Sequence, residues 1–321
     1  MNRYALITGG AGFLGSQLCK ILIENKFNVL CLGRTRYDEL SSYTKKILQR
    51  ASYRRADLNR PEGLATLNQL LSKDIVDGVK YDELYFFNLA WAGENGLSDL
   101  SITKQFDNVV QTQLLYNLAT DYNFHCFVHS GTMEEKFAKR YTALNYKKDT
   151  LYNRHVIYAL AKLYSRYSLK LTRNPITDIV INSNAHLIGP GDKKDSFLQQ
   201  VIISHIDRKD VLMSSGEQLF DVINVADCAM AYLTTARNRT GLDEYWIGSN
   251  SPRKLYEYVD DISTYFNNNT KIYRNSVPFN DVILEKSDFD ASKLYNLDFI
   301  PRYDFISSVD ELTNYLLIQS K

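Results

Sequence analysis

The sequence predicts an α/β protein: a doubly wound parallel sheet with a smaller, interleaved C-terminal lobe. Three observations carry this. A strand, a glycine turn and a helix occupy the first 24 residues; short apolar runs return between helix-length stretches as far as residue 182; and that rhythm loosens after Gly189-Pro190-Gly191. Strands alternating with helices of these lengths imply a parallel sheet covered on both faces.

Taken in order, Tyr4-Ala-Leu-Ile7 is a short apolar run suited to a buried parallel strand. Thr8 to Gly15 is a glycine-rich turn, and Leu14, Leu18, Ile21 and Leu22 then fall at helical spacing across residues 13–24. Asn28-Val-Leu-Cys-Leu32 is a second strand, which completes a βαβ unit. A third strand is expected over 51–57 and a helix over 61–73, with Pro61 in its first turn. Leu84 to Ala90 reads as the fourth strand, 101–121 as a long helix, Cys126 to His129 as the fifth strand, 151–171 as another long helix and Asp178 to Asn182 as the sixth strand. Beyond, helices are expected near 196–207, 226–236, 254–266 and 307–318, strands near 220–224 and 245–247, and a loop over 267–286. The division that follows is a main sheet-and-helix part, mainly 1–182, and a smaller lobe, mainly 183–321, with 220–236 returning to the first.

The composition narrows the function classes. The 321 residues carry 38 Lys+Arg against 37 Asp+Glu, a net charge of +1, which argues against a nucleic-acid or polybasic membrane partner. No apolar stretch is long enough to cross a membrane, and the N-terminus has too short an apolar run for a secretory signal. Cys19, Cys31, Cys126 and Cys228 have no short spacing, so they read as reduced, buried thiols of a cytoplasmic protein. No His/Cys/Asp cluster has metal-ligand spacing, and no metal is expected.

Gly9, Gly12 and Gly15 follow the first strand and open the first helix. That spacing allows a tight turn, backbone approach to a pyrophosphate and close helix–sheet packing. The N–H groups at the helix start, at Phe13 and Leu14, would face the phosphates. A dinucleotide is therefore the expected cofactor. The second strand ends in Gly33-Arg34-Thr35-Arg36, with no Asp or Glu before Asp38. An acid there would accept from the ribose hydroxyls of NAD; two arginines can instead pair with a 2′-phosphate, so NADP(H) is favoured over NAD(H). Asp57 and Leu58 after the third strand, and Leu89 and Ala90 at the end of the fourth, are the further cofactor candidates.

Tyr158 and Lys162 lie four apart on one face of a helix. An ammonium nearby would lower the phenol's pKa, and such a tyrosine can give or take a carbinol proton during hydride transfer. Ser130, at the end of the strand between, would polarise the carbonyl.

Together with Asn108 and Gly189-Pro190-Gly191-Asp192, these residues resemble an extended short-chain dehydrogenase/reductase. More narrowly, they resemble the NAD(P)-dependent epimerase/dehydratase family acting on nucleotide sugars, over most of the chain. Phe220 to Asp227, Tyr245 to Ser249 and Ser287 to Lys293 add to the likeness. The resemblance implies a Rossmann-type sheet and a catalytic set of Ser130, Tyr158 and Lys162. It also implies that Asn108 fixes a helix kink beside the site, and that helices 101–121 and 151–171 pair with their copies in a homodimer. The C-terminal lobe would grip a nucleoside-diphosphate sugar, with Trp91, Thr132, His186, Ser196 and Phe197 as candidate substrate residues.

Departures from the family pattern narrow the reaction. Dehydratases of the family carry Thr-Asp-Glu at the Ser130 position; here the residues are Ser130-Gly131-Thr132, so water loss lacks its acid. His186 stands where the family often has Asn, which resembles 4-ketosugar reductases of the abequose type, and Ser183 stands where it often has Arg. The basic residue expected before Asp281 is absent, which leaves Arg253 or Arg274 for the diphosphate. The expectation is an NADPH-dependent reductase of a nucleotide-linked 4-keto-6-deoxy sugar serving O-antigen or capsule synthesis; the alternative is an NAD-dependent nucleotide-sugar 4-epimerase.

Overall fold

The computed structural model describes residues 1–93, 101–145, 147, 155–192, 196–279 and 282–319. Its first half runs β1 (Arg3–Thr8), α1 (Phe13–Glu24), β2 (Phe27–Gly33), α2 (Ser42–Leu48), β3 (Ser52–Arg55), α3 (Pro61–Leu71), β4 (Glu83–Asn88), α4 (Ile102–Asp121), β5 (Cys126–Thr132), α5 (Glu134–Tyr141), α6 (Val156–Leu171) and β6 (Asp178–Asn184). The second half runs β7 (His186–Ile188), α7 (Phe197–Asp207), β8 (Val211–Leu212), β9 (Leu219–Phe220), β10 (Val222–Asn224), α8 (Val225–Arg237), β11 (Leu242–Ile247), β12 (Arg253–Lys254), α9 (Leu255–Phe266), β13 (Ile272–Tyr273), α10 (Ser292–Tyr295) and α11 (Phe305–Gln319).

Seven strands form one parallel sheet in the order β3-β2-β1-β4-β5-β6-β11. The chain starts in the middle, moves to one edge, and then crosses back beyond β1. The C-terminal ends of β1 and β4, where that direction reverses, therefore open a crevice, the usual place for a ligand in such sheets. Side chains alternate along each strand. Ala5 and Ile7 of β1 face a core shared with α1 and α8, whereas Tyr4 and Leu6 face one shared with α3 and α4. A third core, with Leu198, Ile202, Val259, Ile262 and Leu312, lies among α7, α9 and α11 around the small strand pairs. The last strand of the large sheet, β11, and the helix packed on α1, α8, both come from the second half of the chain.

The strand–helix alternation read from the sequence is present, with local differences. The sequence reading has no helix at α2 or α5. The run Glu-Glu-Lys-Phe-Ala-Lys-Arg-Tyr of α5 has few apolar residues, yet it buries Glu134, Glu135, Ala138 and Tyr141. The strand expected over 220–224 is split into β9 and β10 at Asp221. The buried Asp221 carboxylate accepts from Trp246 Nε1 (2.7 Å), the Ser249 amide (3.0 Å) and Ser249 Oγ (2.5 Å). The loop expected over 267–286 contains β13, which pairs with β8. Of the helix expected from 151, residues 151–154 lie outside the described residues, as does Asp281. All four cysteines are buried and free. No described helix is long and apolar enough to cross a membrane.

Candidate active site

The glycine turn joins β1 to α1 with Gly9 at φ +72°, in the left-handed region. Gly15 packs its Cα against the turn so closely that a Cβ there would stand 2.2 Å from the Gly9 carbonyl oxygen. Thr8 Oγ1 ties the two neighbouring strand ends together. It accepts from the Leu89 and Ala90 amides, both at 3.2 Å, and donates to Asn88 Oδ1 at 2.8 Å. The result is a cleft of about 360 Å3 lined by Gly9, Gly12, Arg34, Asp57, Leu58, Leu89, Ala90 and Trp91. These candidates come from four strand ends and meet in one crevice, with a bare backbone cradle at its base. A dinucleotide fits that donor set: backbone amides for phosphates and small residues for a ribose. Arg34 reaches the cleft, whereas Arg36 turns away to Asp38 (3.2 Å) and Glu39 (3.9 Å), with 60% of its side chain exposed. Phe13 and Leu14 contribute the start of α1 beside the cleft.

α6 brings Tyr158 and Lys162 against Trp91, which lines the cleft. Lys162 Nζ donates to the Ser130 carbonyl (2.8 Å) and lies 3.8 Å from the centroid of the Trp91 ring. Trp91 also meets Tyr158 edge-on, with centroids 6.0 Å apart, and its Nε1 donates to Gln105 Oε1 (2.8 Å). Asn108 holds the backbone just beyond: its Oδ1 accepts from the Ala92 amide (2.7 Å), and its Nδ2 donates to the Ala92 carbonyl and, back along α4, to the Lys104 carbonyl (both 2.9 Å). Asn108 thus anchors the segment that carries Trp91 and holds a carbonyl of its own helix.

Two electrostatic findings differ from expectation. Burial pushes the Tyr158 phenol above its usual range, with the Thr132 hydroxyl opposing and Glu134 and Glu135 adding to the rise. The phenol is therefore raised in this structure, where the sequence reading expects Lys162 to lower it. Burial also pushes Lys162 down, to about 7, against the pull of Glu135. From about 7 to the ordinary lysine value, the unfolded chain binds this proton more tightly than the folded one. Unfolding free energy from this group therefore rises with pH across that window, and below it the burial penalty is constant. Denaturant unfolding from about pH 7 to about pH 9 is expected to show this rise, and Lys162→Met to flatten it.

Two hydroxyls, Ser130 and Thr132, stand at the end of β5. Ser130 Oγ is already engaged: the Tyr232 hydroxyl lies 2.9 Å away, and Asn184 Nδ2 donates to it at 3.2 Å. The Thr132 hydroxyl, two residues on, lies toward the Tyr158 phenol and opposes the rise in its pKa. Its Oγ1 accepts from the Glu134 amide (3.3 Å), which leaves the hydroxyl proton free to point into the site. Thr132 is itself held by its amide, which donates to Glu135 Oε1 (2.9 Å). The other oxygen of Glu135 accepts from Arg166 Nε (2.5 Å), and Arg166 also bonds Ser183 Oγ and reaches Glu244 (3.3 Å). Arg166 thus brings a guanidinium to Ser183, the position where the family pattern has its own arginine. Tyr232, Asn184, Glu135 and Arg166 are site residues that the sequence reading does not single out; the one local signal is Arg166 four residues beyond Lys162 on the same helical face.

On the C-terminal side, His186 Nε2 and Ser196 Oγ are 3.2 Å apart, and the imidazole lies against Phe220 with centroids separated by 5.1 Å. Burial pushes His186 down to about 4, so it is neutral near pH 7. Phe197 begins α7 and packs against the third core. Arg253 is paired with Asp261 (2.8 Å) and stacked on Tyr258, and Arg274 is paired with Asp260 and stacked on Tyr256. Among the described residues, no group of His, Cys, Asp and Glu is arranged to hold a metal.

A parallel sheet of this order, a glycine cradle and a Tyr/Lys pair define an NAD(P)-dependent enzyme of the extended short-chain dehydrogenase/reductase type. The chain belongs to the NAD dependent epimerase/dehydratase family, whose model matches residues 5–248. It is similar to the CDP-abequose synthase of Salmonella typhimurium, 24% identical over 98% of this chain and 99% of that protein. Among solved structures it resembles the UDP-glucose 4-epimerase of Thermotoga maritima with UDP-glucose (TM-score 0.77, 16% identity, covering 99% of this chain and 100% of that one). It also resembles the UDP-N-acetylglucosamine 4-epimerase of Methanobrevibacter ruminantium (TM-score 0.77, 18% identity, 99% of each chain).

Proposed function

We propose that this enzyme reduces the 4-keto group of a nucleotide-linked 6-deoxy sugar with NADPH, in the cytoplasm, as a step toward O-antigen or capsule sugars. The observation that carries the reading is the Tyr158–Lys162 pair set against Trp91, with the Thr132 hydroxyl acting on the phenol, beside a cleft whose second strand ends on Arg34 with no acid. The full-length likeness to a CDP-abequose synthase supports it. The cradle at Gly9, Gly12 and Gly15 would hold the cofactor's pyrophosphate and Arg34 its 2′-phosphate; bound there, NADPH supplies the hydride for C4. Tyr158 gives its proton to the forming alkoxide. Its high pKa keeps it protonated and ready as an acid near neutral pH. Thr132 donates a hydrogen bond to the same oxygen, and Lys162 holds the ribose and orients Tyr158. Trp91 lies against the sugar, and the neutral His186–Ser196 pair reads its hydroxyl or glycosyl oxygens.

The test is cofactor oxidation by the purified protein with a panel of 4-keto nucleotide sugars, comparing NADPH with NADH. Faster turnover with NADPH supports the proposal. No reduction of any keto sugar, with interconversion of UDP-hexoses on retained NAD, overturns it in favour of a 4-epimerase. Thr132→Val is expected to lower kcat by about 10- to 100-fold, because a donor to the developing oxyanion is lost, and Ser130→Ala by less than about 5-fold. Equal losses in the two variants would return that role to Ser130.

We also propose a homodimer through α4 and α6. These adjacent helices leave Val110, Leu114, Tyr164, Tyr167 and Leu171 exposed, an apolar face that a second copy would cover. Val110→Glu with Tyr164→Glu is expected to halve the mass seen in sedimentation equilibrium.

A further inference from the structure

A second cavity, of about 400 Å3, lies between α5, α6 and the sheet edge at β11. It shares no lining residue with the cofactor cleft. Four cations converge on it: Lys136 and Lys139 from α5, Arg166 and Lys170 from α6. Two of its three carboxylates are already engaged. Glu135 is bound by Arg166 and the Thr132 amide, and Glu244 by Arg166 and by Lys170 at 2.9 Å. The third, Asp290, accepts from the Ser292 amide at 2.9 Å.

Lys136 and Lys139 form no ion pair among the described residues. Lys136 is half-buried, with its Nζ 5.9 Å from the Trp246 ring. Burial pushes its pKa down, and the charges of Lys139 and Arg166 act in the same direction, against Asp288 and Glu135. Asp288, Glu135 and Asp290 offset only part of the hydration Lys136 loses, and the exposed Lys139 adds a second positive charge to the same concavity. A small anion with several oxygens would satisfy both lysines at once through charge-assisted hydrogen bonds.

We propose that this cavity is a binding site for a phosphate-bearing small molecule, separate from the cofactor cleft and held by Lys136 and Lys139. The site's far wall is the Arg166–Glu135 pair, and Glu135 holds the amide of Thr132. An anion that attracts Arg166 therefore competes with Glu135 and is felt at the end of β5. The proposal does not depend on which sugar the enzyme reduces.

The experiment titrates the full-length protein with inorganic pyrophosphate by calorimetry, with NADPH and CDP saturating the other phosphate sites. Saturable binding of one equivalent is expected, weakened about tenfold or more in Lys136→Met/Lys139→Met and unchanged in Lys209→Met, an exposed lysine elsewhere. The double variant is to be compared with the parent in circular dichroism and NADPH affinity, both expected unchanged. Absence of saturable binding overturns the proposal. So does binding that is equal in parent and double variant, which would mean that pyrophosphate is held somewhere else. Lys136→Arg, which keeps the charge, is expected to retain binding; its failure to do so alongside a folded protein would also count against the site.

Discussion

Replacing Tyr158 with phenylalanine is expected to lower kcat by about two to four orders of magnitude, the usual worth of a positioned general acid. The aromatic ring stays, so its edge-on contact with Trp91 at 6.0 Å is retained and the cofactor cleft is undisturbed. NAD(P)H affinity, followed by fluorescence, is therefore expected to stay within about threefold of the parent. The loss comes from one atom. In the proposed reduction, an alkoxide left without the phenol would take its proton from Thr132 or from water, and neither is carried on α6. Turnover within about tenfold of the parent would place the proton donor on another residue.

The second large effect is on stability. Arg166→Met is expected to cost about 3–5 kcal/mol, because it leaves Glu135 buried as an unpaired carboxylate. The Arg166 and Glu135 side chains are 13% and 4% exposed, so solvent cannot substitute for the lost partner. Gly131 adds to the constraint, since a Cβ there would stand 2.7 Å from Glu135 Oε1. Urea unfolding at pH 7 reads this directly. Arg166→Lys is expected to recover part of the loss, and Glu135→Gln, which can still accept the Thr132 amide, to be milder than Arg166→Met. A change below about 1 kcal/mol in Arg166→Met would show that the carboxylates rearrange to water.

The legible parts of this molecule are those written in local spacing. The glycine turn works through backbone geometry within eight residues. The Tyr158–Lys162 pair needs only helical periodicity. Strand and helix order follows from alternating apolar runs. Ser130 and Thr132 show where that reading stops. They lie two apart, on the same face of β5, and either could serve as the hydroxyl beside Tyr158. The choice depends on how far α6 sits along the strand and on what fills the space beside Ser130. That filler is Tyr232, 102 residues away on α8. Glu135 and Arg166 are likewise 31 residues apart, and α5 itself has too few apolar residues to announce a helix. Arg34 and Arg36 look equivalent in the sequence. They separate because Asp38 and Glu39, in the turn Tyr37–Glu39, capture only the second.

The late arrival of β11 and α8 has a consequence for synthesis. While the chain emerges from a ribosome, the first six strands can pair as soon as β6 is out, but β6 then presents an open edge of unpaired amides and carbonyls. The apolar flank of α1 stays bare as well, until Cys228, Ala229, Ala231 and Tyr232 reach it. Both surfaces close only when residue 247 has been made. A nascent polypeptide stalled between β6 and β11 would therefore be sticky along one border and one helix, and a truncated product ending there would precipitate where the whole chain does not.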